Sequence, residues 1–224
     1  MRFNIAIDGP SAAGKSTVAD IVAEKLSYLH LDTGAMYRSV ALAAIKNNIK
    51  LDDEEQLLKV IDKMHLEMLD DGRVLLDGVD VSDELRNNEV SMAASEVSKH
   101  NSVRQAMVKM QQDLAKNGGY ILDGRDIGTV VLPNAEIKIF LVANSYDRAM
   151  RRYKQDLASG KDVDFQTILE DIEKRDYQDT HRAVSPLRKA EDAIEIDSSK
   201  LSIDEVVDRI MTIIDNKFKD SKGV

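Results

Sequence analysis

The chain has 224 residues and a mass of 25.0 kDa, with 43% hydrophobic residues, 32% charged residues and a formal net charge of −9. This length predicts one large domain or one core with a small appended lobe, and the composition argues against wholesale disorder and against a membrane protein. Aromatic residues make up only 4% and there is no Trp, so stacking platforms are scarce, and the negative charge would repel a phosphate backbone; both observations argue against a nucleic-acid partner.

The residue types that are missing narrow the chemistry further. The absence of cysteine excludes disulfides, thiolate nucleophiles and cysteine zinc sites, and the four histidines lack the spacing of a metal site. No apolar run approaches the ~20 residues of a membrane span and the N-terminus lacks signal-peptide regions, so we expect a cytoplasmic protein with no membrane partner. Without a long heptad or an apolar surface run, a monomer is the expected state. Arginine is unevenly placed, since six of the 13 fall between residues 144 and 190.

Apolar periodicity and turn residues predict strands and helices that alternate along the chain. In chain order they predict a strand over residues 3–8, a helix from 15, a strand over 28–32, a helix that follows Thr33-Gly34 and runs through Met36 to Asn47, and a helix over 51–64. They then predict short β segments at 66–69, 74–76 and 79–81, two helices within 88–117 broken near 101, and strands over 120–123 and 137–143. The last predicted elements are helices over 145–157 and 165–176, a strand over 193–197, and a closing helix with a capping box at Ser202 and Glu205. The turns Asp71-Gly72 and Asp77-Gly78 predict a small antiparallel insert of about 25 residues. The alternation predicts an α/β fold with a doubly wound parallel sheet of about five strands.

One segment predicts a phosphate site. Gly9-Pro10-Ser11-Ala12-Ala13-Gly14-Lys15-Ser16 fits GxxxxGK[ST] directly after a predicted strand and at the start of a helix. In this pattern the loop N–H groups turn inward, Lys15 reaches the β- and γ-phosphates of a nucleotide, and Ser16 Oγ can ligate Mg²⁺. We interpret Thr17 as a helix residue near the nucleotide. The alternative, an ordinary glycine turn with an exposed lysine, is disfavoured by the strand and helix on either side, but kinases, switches and motors all share this loop.

Two further segments indicate a second site for an anion. Thr33 and Arg38 lie at the start of a predicted helix, where a hydroxyl, a helix N-terminus and a guanidinium could grip a phosphate; a capped helix with a surface arginine is the alternative. Arg125 follows a strand at the edge where open α/β sheets bind ligands, and a salt-bridged turn is the alternative there. Asp123, at the same strand end, could organise metal-bound water or pair with a nearby arginine.

A third segment adds positive charge. Arg175 and Arg182 lie two helical turns apart, so together with Asp179 they could line one face that points into a cleft. A solvated charged helix is the alternative.

Four segments together resemble the bacterial cytidylate kinases, which are P-loop nucleoside monophosphate kinases. They read DGPSAAGKST at residues 8–17, LDTGAMYR at 31–38, LDGRDIGTVV at 122–131 and RDYQDTHRAVSPL at 175–187. The resemblance runs from Asn4 to the last helix and implies a P-loop NTPase fold with a helical lid. It implies transfer of the γ-phosphate of ATP to CMP or dCMP, with Mg²⁺ as the cofactor. Residues 1–36, 86–144 and 190–224 would form the core, 37–85 the monophosphate-binding lobe with the β insert, and 145–189 the lid.

The resemblance also implies roles for individual residues. ATP would lie on residues 9–17, and CMP would lie among Thr33, Arg38, Arg125 and Arg175, with Arg38 and Arg125 chiefly on its phosphate. Ser95, Arg104 and Asp126 would recognise the cytosine edge, and Asp179 with Arg175 the sugar hydroxyls. Arg182 would approach the transferring phosphoryl group, Arg148 and Arg152 would belong to the lid, and the catalytic set would be Lys15, Arg125, Arg182, Arg148 and Arg152.

The sequence departs from the family pattern at a few positions. Thr33 stands where many members have Ser, a change that keeps the hydroxyl, and Gln178 and Thr180 stand where some relatives carry more charge, which bears on the lid's grip on ATP. Ser95 lies in a helical stretch in which a small packing residue is the alternative interpretation.

Two other functions fit part of this pattern. One is a broader UMP/CMP kinase, and the other is a P-loop nucleotide switch or sensor with no monophosphate acceptor. The several acceptor-side arginines and the extra lobe favour a kinase, because a switch has no use for them. Phosphoryl transfer needs mostly in-line positioning and charge neutralisation, which fits a chain rich in clustered arginine and free of cysteine.

Overall fold

A parallel sheet flanked by helices forms the centre of the chain in a computed structural model, which describes residues 2–69 and 72–219. In chain order the elements are β1 (Ile5–Asp8), α1 (Lys15–Leu26), β2 (Leu29–Asp32), α2 (Thr33–Lys46), α3 (Glu54–Lys63), β3 (Leu66–Met68), β4 (Val74–Leu76), β5 (Val79–Asp80), α4 (Asn88–Val97), α5 (Asn101–Ala115), β6 (Tyr120–Gly124), β7 (Ile137–Val142), α6 (Ser145–Ala158), α7 (Phe165–His181), β8 (Ile194–Asp197) and α8 (Ile203–Lys219). A short 3-10 helix at Glu84–Arg86 and a π-helix at Ile127–Val131 complete them.

The five-stranded sheet has the order β2-β6-β1-β7-β8, and all of its neighbouring strands are parallel. This confirms the predicted doubly wound sheet. The strand β1 is buried along its whole length because helices cover both faces, which explains its unbroken apolar run. Strands β2 and β6 lie on one side of β1, and β7 and β8 lie on the other side. The carboxyl ends of β1, β2 and β6 therefore open onto one crevice, at the edge where such sheets bind ligands.

Two hydrophobic clusters cover the two faces of the sheet. On one face α2, α3, α4 and α5 bury side chains such as Val40, Leu57 and Met107. On the other face α1 and α8 bury Val18 and Ile210 against the strands. The apolar side chains that recur with the helical period on each of these helices therefore lie on the face that covers the sheet.

The predicted antiparallel insert is confirmed as the three-stranded sheet β3-β4-β5. Val74 and Leu76 pack in a third cluster with Leu42 of α2 and Leu85 of the 3-10 helix, so the insert rests on α2. The turn predicted at Asp71-Gly72 falls partly outside the described residues, because Asp71 is not among them. The polar residues that follow Phe218 in the sequence also lie outside the described residues from 220 onward.

Of two predicted helix ends, the start of α8 is confirmed and the end of α7 is wrong. The capping box is confirmed, since Ser202 Oγ accepts from Glu205 N at 3.2 Å and Glu205 Oε2 accepts from Ser202 N at 2.8 Å. The predicted end of α7 at Asp176 is wrong, because the helix runs five residues further, to His181. Residues 177–181 contain no glycine or proline, and the tertiary pairing of Asp179 holds this polar turn helical.

Among residues 2–69 and 72–219, we find no helix that combines the length and the apolar character needed to cross a bilayer.

Candidate active site

A cleft of about 650 Å³ opens at the carboxyl edge of the sheet. The predicted site residues that line it are Ser11, Ala12, Lys15, Ser16, Thr33, Arg38, Ser95, Arg104, Arg125, Asp126, Arg152, Arg175, Asp179 and Arg182. The predicted site residues that do not line it are Gly9, Pro10, Ala13, Gly14, Thr17 and Arg148. One cavity thus joins the phosphate loop to the residues predicted for a second anion.

The phosphate loop turns sharply between β1 and α1. Gly9 lies so close to β7 that a Cβ there would be 2.0 Å from the carbonyl oxygen of Leu141, and Gly14 has a φ of +94° in the left-handed region. Both positions therefore need glycine. No side chain caps the first turn of α1, so its N–H groups remain available to an anion.

Lys15 is the buried cation of this loop. Its side chain folds back, and Nζ donates to the carbonyl oxygen of Pro10 at 2.8 Å. Burial, with a smaller contribution from the Arg125 charge, lowers the pKa of Lys15 to about 7. An anion bound in the loop would reverse this shift by stabilising the ammonium form.

One arginine of α6 holds the loop from outside the cleft. Arg148 donates to the carbonyl oxygens of Ser11 and Ala143 at 3.0 and 2.9 Å, and it also pairs with Asp176 of α7. In this arrangement Arg148 braces the backbone of the loop, and its contact with a phosphoryl group stays a prediction. Arg152 does line the cleft, although its Nε is paired with an α6 carboxylate at 2.8 Å.

The start of α2 brings a hydroxyl and a guanidinium to the cleft. Asp32 caps the helix by accepting from Ala35 N at 2.8 Å, and it also pairs with Arg38 at 2.7 Å. The alternative interpretation was a capped helix with a surface arginine, and the structure does show the cap. The Arg38 side chain, however, is only 22% exposed and lines the cleft. Thr33 Oγ1 donates to the carbonyl oxygen of Asp123 at 2.7 Å, which ties α2 to β6.

Arg125 and α7 meet across the cleft. Arg125 Nε donates to Asp179 Oδ2 at 2.7 Å, a pair that joins two distant segments and is not a local salt-bridged turn. Arg182 lies 3.9 Å from Asp179 and 3.8 Å from Asp126. Burial and the neighbouring Arg125 charge lower the pKa of Arg175 to about 10. A buried arginine with a pKa shifted in this way is typical of a functional site.

A buried pair lies at the inner end of the cleft. Arg104 is paired with Asp126, both side chains are less than a tenth exposed, and the Arg104 guanidinium lies 5.5 Å from the centre of the Tyr37 ring. Ser95 is buried beside them, and its Oγ donates to the carbonyl oxygen of Ser91 at 3.4 Å. This pocket can offer both donors and acceptors to a planar polar group.

Asp8 is a positioning residue that the sequence analysis missed. At the end of β1 it accepts the N–H groups of Ile127 and Gly128 at 2.8 and 2.7 Å, and thereby fixes the turn that carries Arg125 and Asp126. Burial raises the pKa of Asp8 to about 6 despite these hydrogen bonds. A polar residue ending an otherwise apolar buried strand was the available signal.

The sequence left the partner of Asp123 open between metal-bound water and an arginine. In the structure Asp123 accepts from Ser16 Oγ at 3.0 Å and contacts His30 Nε2 at 2.9 Å, and it interacts with Arg125 electrostatically. His30 also contacts Asp20 at 2.6 Å. Burial lowers the pKa of His30, but the hydrogen bonds to Asp123 and Asp20 outweigh it and raise the pKa to about 10.

The oxygens of Ser16 and Asp123 suit a divalent cation that arrives with its ligand. Within the described part of the chain, no cluster of three or more His, Cys, Asp or Glu side chains forms a metal cage. Mg²⁺ keeps several waters and is commonly held by one or two protein oxygens together with phosphates. The 3.0 Å pair of Ser16 Oγ and Asp123 Oδ2, at the cleft wall, fits that mode of binding.

Comparison with known proteins places these features in a family. The family model described as cytidylate kinase matches residues 5–216. A cytidylate kinase of Bacillus subtilis (strain 168) is 52% identical over 219 residues, which cover 96% of this chain and 98% of the relative. One from Geobacillus sp. (strain WCH70) is 52% identical over 222 residues, with 97% and 99% covered. A crystal structure of an uncharacterized protein from Eubacterium ventriosum has a TM-score of 0.56 at 16% identity, covers 96% of this chain and 99% of its own, and shows the fold alone.

Proposed function

The chain belongs to the cytidylate kinase family, and we propose on that premise how its cleft performs the family's reaction. The protein is an ATP-dependent kinase that transfers the γ-phosphate of ATP to CMP or dCMP, giving CDP or dCDP and ADP. The observation that carries the proposal is the single cleft in which the phosphate loop faces an arginine-lined second site.

On the donor side, residues 9–17 hold ATP. The free N–H groups at the start of α1 and the Lys15 ammonium receive its phosphates. Ser16 and Asp123 are the residues that would hold a nucleotide-bound Mg²⁺, which would supply positive charge to neutralise the phosphates. Because the loop is braced by α6, its amides are oriented before the nucleotide arrives.

On the acceptor side, Arg38 and Arg125 hold the phosphate of CMP in line with the donor. Each guanidinium is already oriented by a carboxylate, Asp32 for Arg38 and Asp179 for Arg125. Such preorganisation lowers the entropic cost of bringing the two phosphates together. A phosphate monoester is nucleophilic near neutral pH, so this arrangement needs no strong general base.

The rest of the acceptor site recognises the nucleoside. We assign the sugar hydroxyls to Arg175 and Asp179, and the cytosine edge to the Arg104 and Asp126 pair with Ser95. Thr33 closes the site beside β6. The buried carboxylate of Asp126 supports this assignment, because it can accept from the amino group that distinguishes cytosine from uracil.

The lid supplies the remaining charge. We assign residues 145–189 to a lid and 37–85 to a monophosphate-binding lobe, on the core formed by 1–36, 86–144 and 190–224. Arg182 approaches the transferring phosphoryl group, and Arg152 and Arg148 complete the lid. Closure would exclude water, which otherwise competes for the γ-phosphate. We further propose that the protein acts as a cytoplasmic monomer in pyrimidine metabolism.

A coupled assay of ADP formation tests this function, using CMP, dCMP, UMP, AMP and dTMP as acceptors. We expect ATP consumption that depends on CMP or dCMP. Similar rates with UMP would identify a broader UMP/CMP kinase. No gain in rate with any monophosphate would leave a nucleotide switch or sensor and overturn the proposal.

Asp126→Asn is expected to reduce the preference for CMP over UMP, measured as the ratio of kcat/KM values, by about tenfold or more. The amide replaces one acceptor oxygen with a donor, yet its remaining oxygen still faces the buried Arg104. Asp171→Asn changes another carboxylate of the cleft wall, one that contacts Asn88, and should leave the ratio unchanged. An unchanged ratio in Asp126→Asn would remove Asp126 from the cytosine site.

The lowered pKa of Lys15 predicts proton uptake when nucleotide binds. In the free protein the pKa is about 7, so Lys15 is mostly neutral at pH 8, whereas a phosphate in the loop favours the ammonium. Binding of ADP with Mg²⁺ at pH 8 should therefore take up about one proton, and affinity should fall as pH rises above 7. Calorimetry in two buffers of different ionisation enthalpy measures the uptake. Lys15→Met should abolish it, and an equal uptake in that variant would contradict the prediction.

A further inference from the structure

A chain of four polar side chains leads from the surface to the phosphate loop. It runs from Asp20 of α1 through His30 of β2 and Asp123 of β6 to Ser16. The His30 side chain is only 12% exposed, and that of Asp123 only 5%. None of the roles assigned above uses His30 or Asp20.

Hydrogen bonding divides the two oxygens of Asp123 between two partners. An ionised carboxylate only accepts, so the His30 Nε2 that faces Asp123 Oδ1 at 2.9 Å must donate. Nδ1 likewise donates to Asp20 at 2.6 Å, which holds the ring in its plane. With Oδ1 occupied by His30, Oδ2 is the oxygen directed at Ser16 Oγ.

The surroundings of Asp123 make this contact consequential. Because the carboxylate is nearly inaccessible, water cannot readily replace a lost donor, and an unsatisfied buried acceptor is costly. Asp123 also attracts the Lys15 ammonium electrostatically. Without His30 the carboxylate would be free to turn toward Lys15 and away from Ser16, and Lys15 would be drawn from the phosphate.

We propose that His30 is a positioning residue of the donor site, which holds the Asp123 carboxylate in the orientation that faces Ser16. Its target is the oxygen pair assigned above to the nucleotide-bound divalent cation, so the inference rests on the proposed function. His30 and Asp123 lie on the neighbouring parallel strands β2 and β6, a rigid setting for such a contact. Residues that hydrogen-bond to a metal-binding side chain are known to tune the affinity for the metal.

The test compares two substitutions of matched length. His30→Gln keeps an N–H donor for Asp123, whereas His30→Met has none. Mn²⁺ serves as the probe, and electron paramagnetic resonance measures free Mn²⁺ during titration of the protein with ADP present. We expect His30→Met to weaken Mn²⁺ binding by about tenfold and His30→Gln to restore most of the loss. His65→Met changes a histidine that is 73% exposed on the insert and should bind Mn²⁺ as the unaltered protein does.

Binding and steady-state measurements separate positioning from general damage. In His30→Met the Mg²⁺ concentration at half-maximal rate should rise, while the KM for CMP and the binding of CMP without metal stay unchanged. Loss of CMP binding as well would show a structural defect and overturn the proposal. Equal Mn²⁺ affinity in both variants would also overturn it. If His30→Met does not fold, His30→Leu takes its place as the variant without a donor.

The outcome is independent of whether CMP is the acceptor. If the unaltered protein binds Mn²⁺ and ADP but consumes no ATP with any monophosphate, the proposed function fails. The comparison of Met with Gln still decides the role of His30.

Discussion

Lys15→Met is expected to lower kcat by about 100- to 1000-fold, a loss typical of removing one preorganised charge from a developing transition state. Lys15 is the cation of the phosphate loop, and the residue is only 6% exposed, so little water screens its charge. Charge on the transferring phosphoryl group is spread over its equatorial oxygens, which makes neutralisation the main task of the donor site. Coupled measurement of ADP formation at saturating ATP and CMP tests this expectation.

Stability should respond differently from activity in this variant. Burial lowers the pKa of Lys15, which means that the folded protein bears a cost for its charge. Methionine has similar length and no charge, so the free energy of unfolding should not fall. Lys161→Met is the control, because Lys161 lines the same cleft but is 42% exposed and paired with Asp156. If kcat stayed within a few-fold in Lys15→Met, the donor side of the proposal would be wrong.

Arg125→Ala is expected to lower kcat/KM for CMP by about 100- to 1000-fold, with little effect on the KM for ATP. The reason is that Arg125 provides a fork of donors at the acceptor phosphate, held in place by Asp179 at 2.7 Å. Arg182 lies 3.9 Å from Asp179 and still compensates the carboxylate in the variant. The Arg125→Ala protein should therefore fold. Its lower kcat/KM for CMP should then result from poorer alignment of the substrate.

Two further variants sharpen this experiment. Arg125→Lys keeps the charge without the planar fork and should recover only part of the activity. Arg188→Ala removes an exposed arginine outside the cleft wall and should behave as the unaltered protein. A rise in the KM for ATP equal to the loss toward CMP would place Arg125 on the donor side instead.

The features that could be predicted from the sequence are those encoded by neighbouring residues. The phosphate loop is contiguous, and its strand, glycines and helix start lie within 12 residues, so local backbone preference specifies it. The five-stranded sheet and the insert follow from hydrophobic period and turn dipeptides, which report burial and chain reversal. The resemblance to the family was likewise carried by four short motifs, and the match over residues 5–216 confirms it.

The features that could not be predicted are pairings between distant segments. Asp123 meets His30 across 93 positions, and Arg125 meets Asp179 across 54, and no local pattern distinguishes these partners from other charged residues. The extra turn of α7 has the same origin, since Asp179 is held by an arginine from another strand end. Side-chain pairs depend on which strands become neighbours, and β6 lies between β2 and β1 only once the sheet has formed. Local sequence thus encoded the scaffold and the donor loop, while the parallel order of the strands selected the partners of its charged groups.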